Sequence, residues 1–433
     1  MKFKSVAVFA ALTSSALLLS ACAPADDAAE AQIADPDEIT VMVSNVPSAG
    51  ALKAIAPLYR EETGITVTFV EVPSDQLATK AVLDGQSKSG SFDIVQLDQP
   101  TLAQVVPAGG LQPLDRYLEE DTEYDIDDFS PALQEYSKFD GETYGLPLST
   151  EPYVNFYRTD VFEELGLEAP TTWDEVDSSA EQVSALGDGY HGYAGPYGPA
   201  AAAERYFERL MQNGGRVLDP ETNEPLLDTD FAKEILADFI ALAEYTPEVA
   251  LSGVASDSAT AFQQESIGQN INPSGWYGRL DDPEASRAAG NVGVAAVPSE
   301  ANGPYEPQNI LKGWLIGVNA SSTKQDAAWD FLAFALGKEN VQSFIDEGAP
   351  VVGRTSTLTD PTFVEQLPYL EHLQPTIDSG AALPSLGEFP QISGEVSQAI
   401  NSIVLEGADL DSTMDSVNES VWTLLEQGGA LQK

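Results

Sequence analysis

A chain of 433 residues with 43% hydrophobic content can bury the cores of two or three domain-sized units. Its 69 acidic residues against 20 lysines and arginines give a formal charge of −49, a surface that repels nucleic acid and anionic lipid head groups and excludes both as partners. The single cysteine excludes an intramolecular disulfide, and with two histidines it leaves no His/Cys metal constellation. No D-x-D-x-D-G loop marks a calcium site, so neither metal nor cofactor is expected.

In chain order, Lys2 and Lys4 precede an apolar run from Val6 to Leu19, too short for a comfortable membrane span and typical of a secretory signal peptide over residues 1–21. Leu19-Ser20-Ala21-Cys22 follows and resembles a bacterial lipobox, which implies cleavage before Cys22 and lipid on that cysteine. Residues 23–37, small, acidic and aperiodic, read as a disordered tether. The globular sequence begins at Glu38.

Residues 39–44 read as a strand, followed by a helix over 48–63 that Gly64 ends and Pro57 kinks. A second strand spans 65–72, Ser74 caps a helix ending near Gly85, and 92–97 is a nearly continuous apolar strand. Such a run suits a parallel sheet covered on both faces, and the alternation of strand and helix makes the fold class α/β. Ligands of such sheets lie beyond the carboxyl ends of the strands, which points to Ser44-Asn45 and Asp98-Gln99, although loop capping explains the same residues. Ser130-Pro131 opens a further helix and Asp140-Gly141 marks a turn. Extended chain at 144–148, a polar mouth Ser149-Thr150-Glu151, a strand at 153–157 and a short helix stopped by Gly166 come next. Thr172-Trp173-Asp174-Glu175 is a capping box. Helices then follow over 199–212, 229–245 and 257–265, and a strand at 267–271 delivers Pro273-Ser274-Gly275-Trp276-Tyr277. Strands at 292–297 and 314–318 precede helices over 323–336 and 338–347 and two long helices that finish the chain. Trp173, Trp329 and Trp422 lie in helices and are expected to be packing residues.

Gly145-Leu146-Pro147, then Gly166-Leu167, Pro170, Thr172-Trp173 and Glu175, closely resemble the crossover segment of the bacterial extracellular solute-binding proteins, family 1, which deliver sugars to ABC importers. Gly313-Trp314 with Ser321-Ser322, and Pro350 to Ser356 before Asp360-Pro361, extend the likeness to nearly the whole mature chain. Glu265-Ser266 departs from it, standing where the family has glycine. The resemblance implies a two-lobe periplasmic-binding-protein-like fold of type II, a hinge, and a ligand cleft between the lobes. It assigns 38–147 plus 300–347 to an N-lobe and 148–299 plus 348–433 to a C-lobe. A sugar site needs aromatic faces for the ring's C–H groups and polar side chains for its hydroxyls. The candidates are Tyr153, Tyr197, Trp276, Tyr277 and Trp314 for stacking, and Asn45, Asp98, Glu151 and Arg354 for polar contacts. Each has a plainer role open to it: tryptophans on strands are usually core, Tyr197 fits a turn, and Arg354 has many acids to pair with. The function implied is that of a non-enzymatic, monomeric binding lipoprotein at the extracytoplasmic face of the cell membrane. Its partners would be a mono- or oligosaccharide or polyol, the ABC permease subunits, and the membrane through Cys22. A surface sensor with the same fold, or a secreted carbohydrate-active enzyme, stands as the alternative.

Overall fold

The computed structural model describes residues 36–187, 189–199, 201–264 and 266–431, so the leader, Cys22 and most of the tether lie outside the described residues. In chain order the strands are β1 (Glu38–Val43), β2 (Thr66–Glu71), β3 (Ile94–Asp98), β4 (Lys138–Phe139), β5 (Glu142–Thr143), β6 (Leu146–Pro147), β7 (Tyr153–Arg158), β8 (Tyr190–Tyr193), β9 (Ser266–Pro273), β10 (Val292–Ala296), β11 (Asn309–Ile310), β12 (Trp314–Val318) and β13 (Gly380–Ala381). Apolar β1 and β3 form the parallel centre of a five-stranded sheet ordered β2-β1-β3-β12-β6, in which β12 runs antiparallel to both neighbours. Ile39, Val41, Val43, Ile94 and Val95 are wholly buried there, as strands covered on both faces require. A second sheet is ordered β10-β7-β9-β8. The chain passes between the two sheets at 148–152 and again at 297–313.

Local signals explain most boundaries. Helix Pro47–Thr63 carries proline in its first turn and ends at Gly64, with Pro57 inside it. Asp140-Gly141 joins β4 to β5 with both residues at positive φ, the geometry of a tight hairpin. Thr172 and Glu175 form the reciprocal capping box of helix Trp173–Ser184, the Thr172 hydroxyl accepting from Glu175 N at 3.2 Å. Ser74, by contrast, caps nothing: it begins a short 3₁₀ turn, and the helix runs over Leu77–Ser87. Gly85 therefore does not end that helix. A Cβ there would lie 2.5 Å from the backbone of Gly109 and Gly110, so the residue is small to let a neighbouring loop approach.

Helix Ala202–Gln212 and the last two helices, Phe389–Asn401 and Leu410–Gly428, share one core in which Phe207, Ile392, Val396, Met414 and Leu425 are buried. Trp173 and Trp329 are buried as expected, but Trp422 is 39% exposed. At about 100° per residue it stands a quarter-turn from buried Val421, beyond the edge of the stripe. No helix among the described residues is long and apolar enough to cross a membrane.

Candidate ligand-binding site

The antiparallel register of β3 and β12 sets Asp98, the last residue of β3, directly opposite Trp314, the first of β12. Their neighbours at the carboxyl end of β3 enclose a cavity of about 210 Å³ that Asp98, Gln99, Tyr136, Glu151, Glu204, Lys312 and Trp314 help to line. Three segments meet there through backbone bonds: Leu148 N donates to Trp314 O (2.7 Å), Glu151 N to Lys312 O (2.8 Å) and Thr150 N to Val351 O (3.3 Å). Gly313 makes the approach possible. Its φ is +145°, and a Cβ at this position would stand 2.0 Å from Ser149 O.

Glu151 accepts a hydrogen bond from the Ser149 hydroxyl at 2.7 Å, and the same hydroxyl accepts from Trp314 N at 3.2 Å. Desolvation raises the Glu151 carboxyl above its ordinary range, opposed by that hydrogen bond and by the Lys312 charge. Lys312 reaches Glu204, on helix Ala202–Gln212, at 2.6 Å. Burial by itself would raise Glu204, but the Lys312 and Arg205 charges outweigh it and hold the carboxyl at about 2. The reciprocal effect pushes the Lys312 ammonium up despite its burial. Gln99 is 3% exposed, and its Oε1 finds no partner among the described residues. Tyr136 donates its hydroxyl to Gly313 O at 3.0 Å and so buttresses the glycine.

Of the residues expected in a site, Asp98, Glu151 and Trp314 line this one cavity. Trp276 and Tyr277 are half-buried beside it: Gly275 packs so closely that a Cβ would lie 2.8 Å from Glu151 Oε2. Trp276 carries Arg279 4.9 Å above its ring, and Tyr277 packs on Tyr369. Tyr153 stands behind the wall, 3% exposed, with the Arg205 guanidinium 3.1 Å from its ring centre and its hydroxyl donated to Glu204. Asn45 is exposed at the carboxyl end of β1 and outside the cavity lining.

Two expectations are corrected. Tyr197 is fully buried, tilts against Phe239 and donates to the Phe239 carbonyl at 3.1 Å, so it belongs to the helical core. Arg354 is 1% exposed and does not line the cavity; its guanidinium donates to the carbonyls of Leu336 (3.0 Å), Asp125 (3.1 Å) and Tyr124 (2.8 Å). It packs against the stacked rings of both Tyr124 and Phe129 and lies 3.6 Å from Asp128. Glu204 and Lys312 escaped the sequence reading, although Lys312 directly precedes the Gly313-Trp314 signal.

The family model described as "Bacterial extracellular solute-binding protein" matches residues 44–342. A "Probable amino-acid ABC transporter periplasmic-binding protein" of Sinorhizobium fredii is 23% identical over 411 residues, 91% of either chain. The mannitol-binding protein of Pseudomonas aeruginosa is 21% identical over 415 residues, 91% of this chain and 94% of that one. Among solved structures, a solute-binding protein of Agrobacterium radiobacter K84 in complex with ribitol superposes with a TM-score of 0.80 at 24% identity, covering 90% of this chain and 99% of the other.

Proposed function

The chain belongs to the bacterial extracellular solute-binding protein family, non-enzymatic binding proteins of ABC transporters, and we propose that its solute is a single sugar unit or a polyol. The observation that carries this reading is the pairing of Trp314 with Asp98 across β3 and β12, with Glu151 alongside. An aromatic face covers the C–H surface of a sugar, and carboxylates accept from its hydroxyls. The cavity of about 210 Å³ lies below the roughly 300–1,000 Å³ of drug-sized pockets, which favours a monosaccharide or polyol over an oligosaccharide. The ribitol complex and the mannitol-binding relative support the same class. The relative named for amino acids supports another, but three carboxylates and one ammonium in the lining disfavour an amino acid's carboxylate.

In this reading the two sheets head two lobes, 38–147 plus 300–347 and 148–299 plus 348–433, that close on the solute. The bonds of Arg354 to Tyr124, Asp125 and Leu336 favour moving the stretch around 354 to the first lobe. Asp98, Glu151 and Trp314 contact the solute in the cavity, Trp276 and Tyr277 complete the site on closure, Tyr153 supports Glu204, and Asn45 stands at the rim. The monomer hands its solute to the permease subunits and is held at the outer face of the membrane by lipid on Cys22. A thermal-shift screen over sugars, polyols and amino acids tests the solute class, and stabilisation by amino acids alone would overturn it. Cys22→Ser should release the protein into the soluble fraction. Retention on the membrane at high salt would end the lipid proposal.

A further inference from the structure

We infer that the solute carries a basic nitrogen, and is an amino sugar or amino polyol whose ammonium group is held by Asp98 and Glu151. The inference rests on the carbohydrate reading above and narrows it. Charge balance is the first ground. Asp98, Glu151 and Glu204 line the cavity, and Lys312 is the one cation among the described residues that does. Lys312 is already committed to Glu204 at 2.6 Å. Neither Asp98 nor Glu151 forms an ion pair with a described residue, and the one side-chain bond to Glu151 comes from the Ser149 hydroxyl. A neutral hydroxyl would give each carboxylate a hydrogen bond but no ion-pair partner, with only the Lys312 charge nearby to offset Glu151, whereas an ammonium supplies a counter-charge as well.

The second ground is the balance of donors and acceptors. Asp98 and Glu151 present carboxylate oxygens to the cavity, and these only accept. An ammonium offers three donors and no acceptor, and so answers that excess, whereas a hydroxyl offers one donor and adds two acceptor lone pairs of its own. The exposed part of Trp314 adds a ring face of the kind that attracts cations. Around Glu151 the Ser149 hydroxyl and the Lys312 ammonium favour the charged form and desolvation disfavours it, the hydroxyls of Tyr136 and Tyr369 stand within reach of its charge, and Asp98 and Glu204 line the same cavity. Its desolvated carboxyl takes up protons more readily than usual, so a cationic solute should bind more tightly as pH rises from acid to neutral.

Calorimetry on the purified protein with matched pairs decides the point: glucose and glucosamine, galactose and galactosamine, mannose and mannosamine, sorbitol and 1-amino-1-deoxysorbitol. The tightest ligand should be an amine that binds about tenfold better than its neutral partner at neutral pH, because the ammonium adds a counter-charge to a hydrogen bond that the carboxylate already makes charge-assisted. That advantage should shrink in high salt, and Asp98→Asn or Glu151→Gln should reduce it towards parity while the neutral partner changes less. The salt series needs no variant, so a poorly folding substitution does not block the test. A neutral sugar or polyol that binds at least as well as its amine overturns the inference and leaves the carbohydrate reading intact. Silence across the whole panel overturns both.

Discussion

Arg354→Met should cost about 3–5 kcal/mol of stability and leave solute affinity alone. The guanidinium, 1% exposed, satisfies three backbone carbonyls drawn from two separate stretches of chain, those of Tyr124, Asp125 and Leu336. Methionine fills much of the volume beside the rings of Tyr124 and Phe129 but donates to none of the three carbonyls. Each buried carbonyl left without a donor costs about 1–3 kcal/mol, and partial relaxation brings the sum into the stated range. Asp128 adds little to the loss, because Ser356 N (2.9 Å), the Ser356 hydroxyl (2.7 Å) and Lys338 (3.2 Å) still hold it. Arg354→Lys should recover little, since one ammonium cannot span three carbonyls arranged around a planar fork. Urea unfolding followed by circular dichroism reads the stability, and calorimetry at a temperature where both proteins are folded reads the affinity. A variant with wild-type stability and weakened binding would refute the reasoning and return Arg354 to the solute site.

Trp314→Ala should weaken binding by about 2 kcal/mol, roughly thirtyfold, as the loss of a buried aromatic anchor does, while Trp422→Phe on the exposed face of the last helix should change nothing; calorimetry reads both. Burial raises the Glu208 carboxyl from 4.5 to about 8, so the folded chain keeps a proton that the unfolded chain has already released and stability falls as pH rises across that interval. Glu208→Gln should remove this fall, with urea midpoints above wild type at alkaline pH and converging with it near pH 4. With a formal charge of −49, the melting temperature should climb between low salt and about molar NaCl, and a flat curve would show that the acids are compensated locally.

Where a structural choice is made by neighbours in sequence, the chain announces it. The capping box at Thr172, the hairpin at Asp140-Gly141 and the apolar run that becomes β3 are all of this kind. Trp314 came into view only through the family resemblance at Gly313-Trp314, because a tryptophan on a strand otherwise reads as core, and the close approach that Gly313 permits to Ser149 was not legible. Pairings made across long separations were not legible. Gly195-Pro196-Tyr197-Gly198 looks like an exposed turn, yet the carbonyl that takes the Tyr197 hydroxyl belongs to Phe239, 42 residues away. The loop around Arg354 carries no sign that residues 124–125 and 336 will wrap it. Glu204 is the one residue of helix Ala202–Gln212 that is not buried, and nothing local tells that it meets Lys312.

The proposed hinge and the candidate site share the same few residues, which sets how the proposed closure would be coupled to the solute. The backbone of Glu151 is bonded to that of Lys312, and Leu148 and Ser149 both donate to Trp314 O, so these crossing segments form one ribbon that the proposed motion would turn as a unit. Asp98 ends a strand of the first sheet, while Glu204 belongs to a helix packed with the C-terminal helices. A rotation of one sheet relative to the other therefore moves Asp98 and Glu204 about a ribbon that carries Glu151, Lys312 and Trp314. A solute that touches Asp98 and Glu151 at once reports on that rotation, and its differential contact with the open and closed states supplies the free energy for closing. The Lys312–Glu204 pair bridges the ribbon to the helix at 2.6 Å, so in the proposed motion it would have to break or swing for the cleft to open on that side.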